Sequence, residues 1–133
     1  MRALEKPDHG LLLLRLGLGG MFLTHGWPKL AGGATKWAGL GKAMAQLGID
    51  FWPTAWGFAA ACSEFFGGLL FATGLLFRPA CAALVGTMVV AATMHLRGGD
   101  GLQGASHAIE AGIVFAAMIL VGPGRYAIDA RRK

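Results

Sequence analysis

The sequence predicts an all-α membrane protein, a four-transmembrane-helix bundle with a short interfacial helix between the first and second spans. Three observations carry that expectation. The chain of 133 residues is 55% hydrophobic and only 14% charged, one domain's length with too little polar surface for an ordinary soluble globule. Its apolar residues gather into four stretches, 11–30, 55–77, 80–96 and 104–121, each reaching or approaching the roughly 20 residues that cross about 30 Å of hydrocarbon as a helix. Turn signals, not a soluble domain, separate most of them, so residues 1–133 read as a single transmembrane domain.

In the polar lead, Pro7-Asp8-His9-Gly10 reads as a turn with Asp8 as N-cap of the first helix. Arg2 and Lys6 ahead of an apolar run resemble the start of a signal peptide. The run exceeds the roughly 7–15 residues of a typical h-region, holds Arg15 and has no small-x-small cleavage site after it, so it reads as a retained span. Residues 31–54 form the one long connection. Within it Thr35–Leu47 places Trp37, Leu40, Met44 and Leu47 on one helical face, which suits a helix lying in the membrane interface. Phe51, Trp52 and Trp56 then mark an aromatic belt where the second span enters. Gly57, Ala60, Ala61, Glu64 and Gly68 share a face of that span, and such small residues let membrane helices approach closely. Arg78-Pro79 reads as the turn into the third span, Gly98-Gly99-Asp100-Gly101 as the turn into the fourth, and Gly122-Pro123-Gly124 as its end.

A net charge of +5 raises nucleic acid as a partner, but the basic residues form no patch with interleaved aromatics. They follow topology instead: Arg2, Lys6, Arg78, Arg125, Arg131, Arg132 and Lys133 fall on one side, Lys29, Lys36, Lys42 and Arg97 on the other. The positive-inside rule then puts both termini of a multi-pass protein in the cytoplasm. Cys62 and Cys81 differ in height by roughly 20 Å in this threading, too far for a disulfide, and both read as buried small residues.

Seven ionisable residues stand within or at the ends of the spans: Arg15, His25, Lys29, Glu64, His95, His107 and Glu110. Charge in hydrocarbon costs about 2.5–3.5 kcal/mol per residue on insertion scales, so it marks structural pairing or a working site. The threading gathers all but Arg15 near the outer surface. Glu64 lies roughly 13 Å down from the start of its span and must pair, with Lys29 or an incoming group, or carry a proton. Arg15, Phe22, His25 and Lys29 share a stripe of the first helix, Ala83, Thr87, Ala91 and His95 one of the third, and His107, Glu110, Val114 and Met118 one of the fourth. Arg15 reads as a topology anchor reaching the inner headgroups, with Asp8 or Asp129 as alternative partners.

His25-Gly26-Trp27-Pro28-Lys29-Leu30, Glu64-Phe65-Phe66-Gly67-Gly68-Leu69-Leu70 and Gly122-Pro123-Gly124-Arg125-Tyr126-Ala127-Ile128-Asp129 make the chain similar to the DoxX family of small bacterial and archaeal membrane proteins. The resemblance extends from about Leu11 to Asp129. It implies an inner-membrane protein associated with respiratory or redox functions, and it points to Arg15, His25, Lys29, Glu64, Arg78, His95 and Glu110.

The resulting expectation is a redox-associated protein that works with a partner oxidoreductase and binds quinone or another small lipophile in an outward-facing polar pocket. Glu64, His25, Lys29 and Glu110 would act on the ligand, with His95 and His107 completing its surround. The cofactor itself is left unknown. Alternatives are a metal site made of His25, His95, His107, Glu64 and Glu110, which the cation of Lys29 opposes, and a non-catalytic scaffold or assembly factor whose buried ions fix helix register. A small transporter is disfavoured by the few short helices. Lipid and a second copy of the chain are the remaining partners.

Overall fold

The structure, a computed structural model, describes residues 6–132. Among these the chain is helical with no strand: α1 (Pro7–Ala31), α2 (Gly33–Gly41), a 3-10 segment (Lys42–Leu47), α3 (Pro53–Thr73), α4 (Phe77–Arg97), α5 (Gly101–Val121) and a short α6 (Ile128–Arg131). By length and composition α3, α4 and α5 are long and apolar enough to cross a membrane. The 25 residues of α1 exceed them in length, but Arg15, His25, Pro28 and Lys29 dilute its apolar run. Arg2 and Lys133, counted above for topology, lie outside the described residues.

Proline opens both α1 and α3, where its missing N–H leaves no bond unmade. The turn between α3 and α4 falls earlier than Arg78-Pro79. Gly74, at φ +73°, ends α3 and donates its N–H to the Leu70 carbonyl at 2.8 Å. Arg78 and Pro79 instead belong to the first turn of α4, a place that tolerates proline. The amides exposed there are capped from the far end of the chain: Asp129 Oδ1 accepts from Leu76 N–H at 3.0 Å and Oδ2 from Phe77 N–H at 2.9 Å. Asp8 does not cap α1. It lies in the first turn of that helix, and its Oδ1 accepts the Arg125 N–H at 3.0 Å. The start of α1, the α3–α4 turn and the tail are thereby tied together at one end. Asp129→Ala should cost about 1 kcal/mol, as lost N-caps do, and Asp129→Asn less. Thermal denaturation of the two variants in detergent checks the order.

α1 packs on α3, α3 on α4, and α4 on α5, with α2 laid against α3. Phe22, Phe71, Phe77 and Phe115, each 2% exposed or less, form the centre of the core. Phe115 meets Phe22 and Phe71 edge-on at centroid distances of 5.0 and 5.2 Å. Such pairs add about 0.5–1.5 kcal/mol beyond their buried area. α1 and α5 thus touch through rings.

Three sequence expectations are corrected by this packing. α5 buries Ala105, Ala108, Ala111, Phe115 and Met118, because its alanines let it close on α4. That rotation leaves Glu110 exposed instead of facing inward with Val114 and Met118. Arg15 does not reach the headgroups: it is 1% exposed, donates from Nη1 to the Ala72 carbonyl at 3.4 Å, and keeps a buried Nε without a hydrogen-bond partner. Of the two cysteines, both free thiols, only Cys81 is buried, and Cys62 is half-buried. N-ethylmaleimide should therefore modify Cys62 first and Cys81 only on unfolding, which mass spectrometry of timed samples can follow.

Candidate functional site: a largely apolar cavity edged by an ion pair

Lys29 belongs to the last turn of α1 and Glu64 to the middle of α3. Lys29 Nζ lies 2.9 Å from Glu64 Oε1 and 2.8 Å from Oε2, so one ammonium bridges both oxygens. Glu64 is 6% exposed, while the Lys29 side chain retains 32% exposure. The approach of the two helices permits this: Gly26, one turn before Lys29, sits against the Phe65 backbone where any side chain would collide. The Lys29 carbonyl, among the last of α1 and without a helical partner, accepts the Trp37 Nε1–H at 3.0 Å. Trp37 thereby pins α2 to the end of α1.

The pair faces a cavity of about 580 Å³ bounded by α1, α3, α4, α5 and the α2/3-10 segment. Met44, Ala60, Met88, Ala91 and Met94 give it a largely apolar surface. Its volume lies in the range of about 300–1,000 Å³ that small-molecule sites occupy. On the α4 side Thr87 Oγ1 is 2.8 Å from Ser63 Oγ and 3.0 Å from the Ala83 carbonyl, which Ser63 also reaches at 3.1 Å. Those hydroxyls bond among themselves, so Lys29 and Glu64 supply the charged end.

The sequence matches the family described as DoxX over residues 10–96, well over half of the chain. The chain belongs to the DoxX family. In this DoxX-family membrane protein the matched segment carries α1 through nearly all of α4, hence His25, Lys29, Glu64 and His95, and stops short of α5. No curated protein and no solved structure matches the chain.

The remaining candidates of the DoxX chain divide. His25, His95 and His107 line the cavity. The His25 and His107 rings stand 5.7 Å apart at the exposed gap between α1 and α5, with Phe22 beneath both at 6.2 and 6.3 Å. An imidazole ring carries two nitrogens that can bond to an incoming molecule. His95 Nδ1 lies 2.8 Å from Asp100 Oδ2, across the α4–α5 turn. Glu110 does not line the cavity, and Arg15 belongs to the opposite end of the bundle. Among the described residues no three His, Cys, Asp or Glu side chains come together as a metal-binding group, so the geometry lends the metal alternative no support. Two participants were missed in the sequence. Trp56 lines the cavity and has a buried indole N–H with no hydrogen-bond partner, yet an interfacial tryptophan gives no sign of that. Ser63 could have been noticed as the neighbour of Glu64 on a helix otherwise poor in polar residues.

Proposed function

We propose that this DoxX-family protein binds a small flat lipophile, foremost a quinone, in the cavity, with its polar edge at the Lys29–Glu64 pair. One observation carries the reading: a bidentate ion pair opens onto a largely apolar space of about 580 Å³. A quinone ring needs apolar walls for its faces and a donor for its carbonyl. Lys29 Nζ supplies that donor, and the unpartnered Trp56 N–H is a second. When a quinol is oxidised its protons pass to Glu64 or His25, and its electrons to a partner oxidoreductase. The working arrangement has α1 as a fourth span, α2 and the 3-10 segment at the outer interface of the inner membrane, and both termini in the cytoplasm. Lys6, Arg78, Arg125, Arg131 and Arg132 at the tail end favour that orientation.

The test is fluorescence titration of protein in lipid nanodiscs with ubiquinone and menaquinone analogues, since Trp56 lies on the cavity wall. Saturable quenching is expected, with Trp56→Phe removing the responding fraction. Ala60→Phe, which fills the cavity, should weaken binding about tenfold or more, the equivalent of roughly 1.4 kcal/mol. Equal affinity in the wild type and Ala60→Phe would place the quinone elsewhere.

A further inference from the structure

A second cleft, of about 570 Å³, lies at the tail end, remote from the ion pair. Arg78, Arg125 and Arg132 line it, together with Gly122, Gly124 and Asp129. Its three arginines less the one aspartate leave two positive charges, and both oxygens of Asp129 already accept the Leu76 and Phe77 amides. Lys6 and Arg131 add to the positive field nearby, and Asp8 subtracts from it.

Two of the guanidinium groups are held in place by the protein. Arg78 Nε donates to the Ile119 carbonyl at 2.9 Å, and its Nη2 lies against Gly122, where a Cβ would stand 3.3 Å away. Arg125 stacks over Tyr126, its guanidinium carbon 5.3 Å from the ring centroid. Held arginines lose less freedom on binding and match phosphate oxygens with their planar fork of donors. The cleft also has a defined depth: α4 begins at Phe77 and α5 ends at Val121, so it lies where two apolar spans give way to the headgroup layer.

We infer that the cleft lined by Arg78, Arg125 and Arg132 binds the phosphate of an anionic lipid headgroup. Zwitterionic lipid carries the same phosphate with a compensating cation and binds less well. The inference needs only α4 and α5 as spans and is independent of any ligand in the larger cavity.

The test is native mass spectrometry of detergent-purified protein titrated with phosphatidylglycerol, phosphatidylcholine or inorganic phosphate. Phosphatidylglycerol should bind with a saturable stoichiometry and phosphatidylcholine far more weakly. Arg125→Gln/Arg132→Gln, both at exposed positions, should weaken phosphatidylglycerol binding about tenfold or more, the scale of a lost charge-assisted contact. Lys36→Gln/Lys42→Gln, which removes the same charge from the other end, should leave it unchanged, and circular dichroism checks that both variants fold. Equal binding of the two lipids, equal loss in both variants, or occupancy by inorganic phosphate that excludes the lipid would each overturn the inference.

Discussion

Lys29→Met is expected to destabilise the protein by about 2 kcal/mol, because it leaves the Glu64 carboxylate buried without its cation. Breaking a buried pair from one side costs about 3–5 kcal/mol, and partial exposure lowers the figure. Glu64 is 6% exposed, but the Lys29 side chain keeps 32% of its surface, so water softens the loss. The pair stabilises less than its removal costs. Lys29→Met/Glu64→Leu, which replaces both ions by apolar groups of similar size, should therefore regain most of the lost stability. It should not regain ligand binding. Thermal unfolding in detergent separates the cases: a double variant as unstable as the single would mean that the charges themselves hold α1 to α3.

Gly26→Ala is expected to act on the same place through sterics, at about 1–3 kcal/mol, the usual range for overpacking. A Cβ there would stand 2.5 Å from the Phe65 nitrogen and 2.8 Å from its Cα. Those are backbone atoms of α3, so no side chain can swing aside and α1 must retreat. The retreat lengthens the Lys29–Glu64 contact, and ligand affinity should fall with stability. Gly20→Ala on the same helix has open space around its new methyl and should be neutral or slightly stabilising, since alanine favours helix over glycine. Comparing the two variants by unfolding and by quinone titration distinguishes a packing requirement from a general effect of added helix propensity.

Much of this arrangement follows from helical period alone. Arg15, Phe22, His25 and Lys29 fall on one face of α1, and Ala83, Thr87, Ala91 and His95 on one face of α4, and all of these but Arg15 line the cavity. Antiparallel threading makes Lys29 one candidate partner of Glu64, and the packing of Gly26 on the Phe65 backbone is what brings the last turn of α1 to the middle of α3. Helix rotation is less legible. α5 offers both a polar flank and an alanine face, and only the closeness of α4 decides that the alanines go inward and Glu110 outward. Contacts between distant parts of the chain were hidden for a similar reason. Asp129 caps α4 from more than fifty residues away, and Arg15 is buried because Gly74 and the tail fold over it, neither of which leaves a local pattern. Trp37 read as an interfacial ring because its apolar face dominates, while its indole N–H serves the last turn of α1.

The most direct measurement for the proposed cavity is photo-crosslinking with a diazirine-bearing menaquinone analogue in nanodiscs, followed by peptide mapping. Adducts on the wall residues Met44, Met88 and Met94, suppressed by excess unlabelled menaquinone and absent in Ala60→Phe, are the predicted result. Adducts confined to outward-facing residues such as Leu13 and Leu120, or an unchanged pattern in Ala60→Phe, would contradict it.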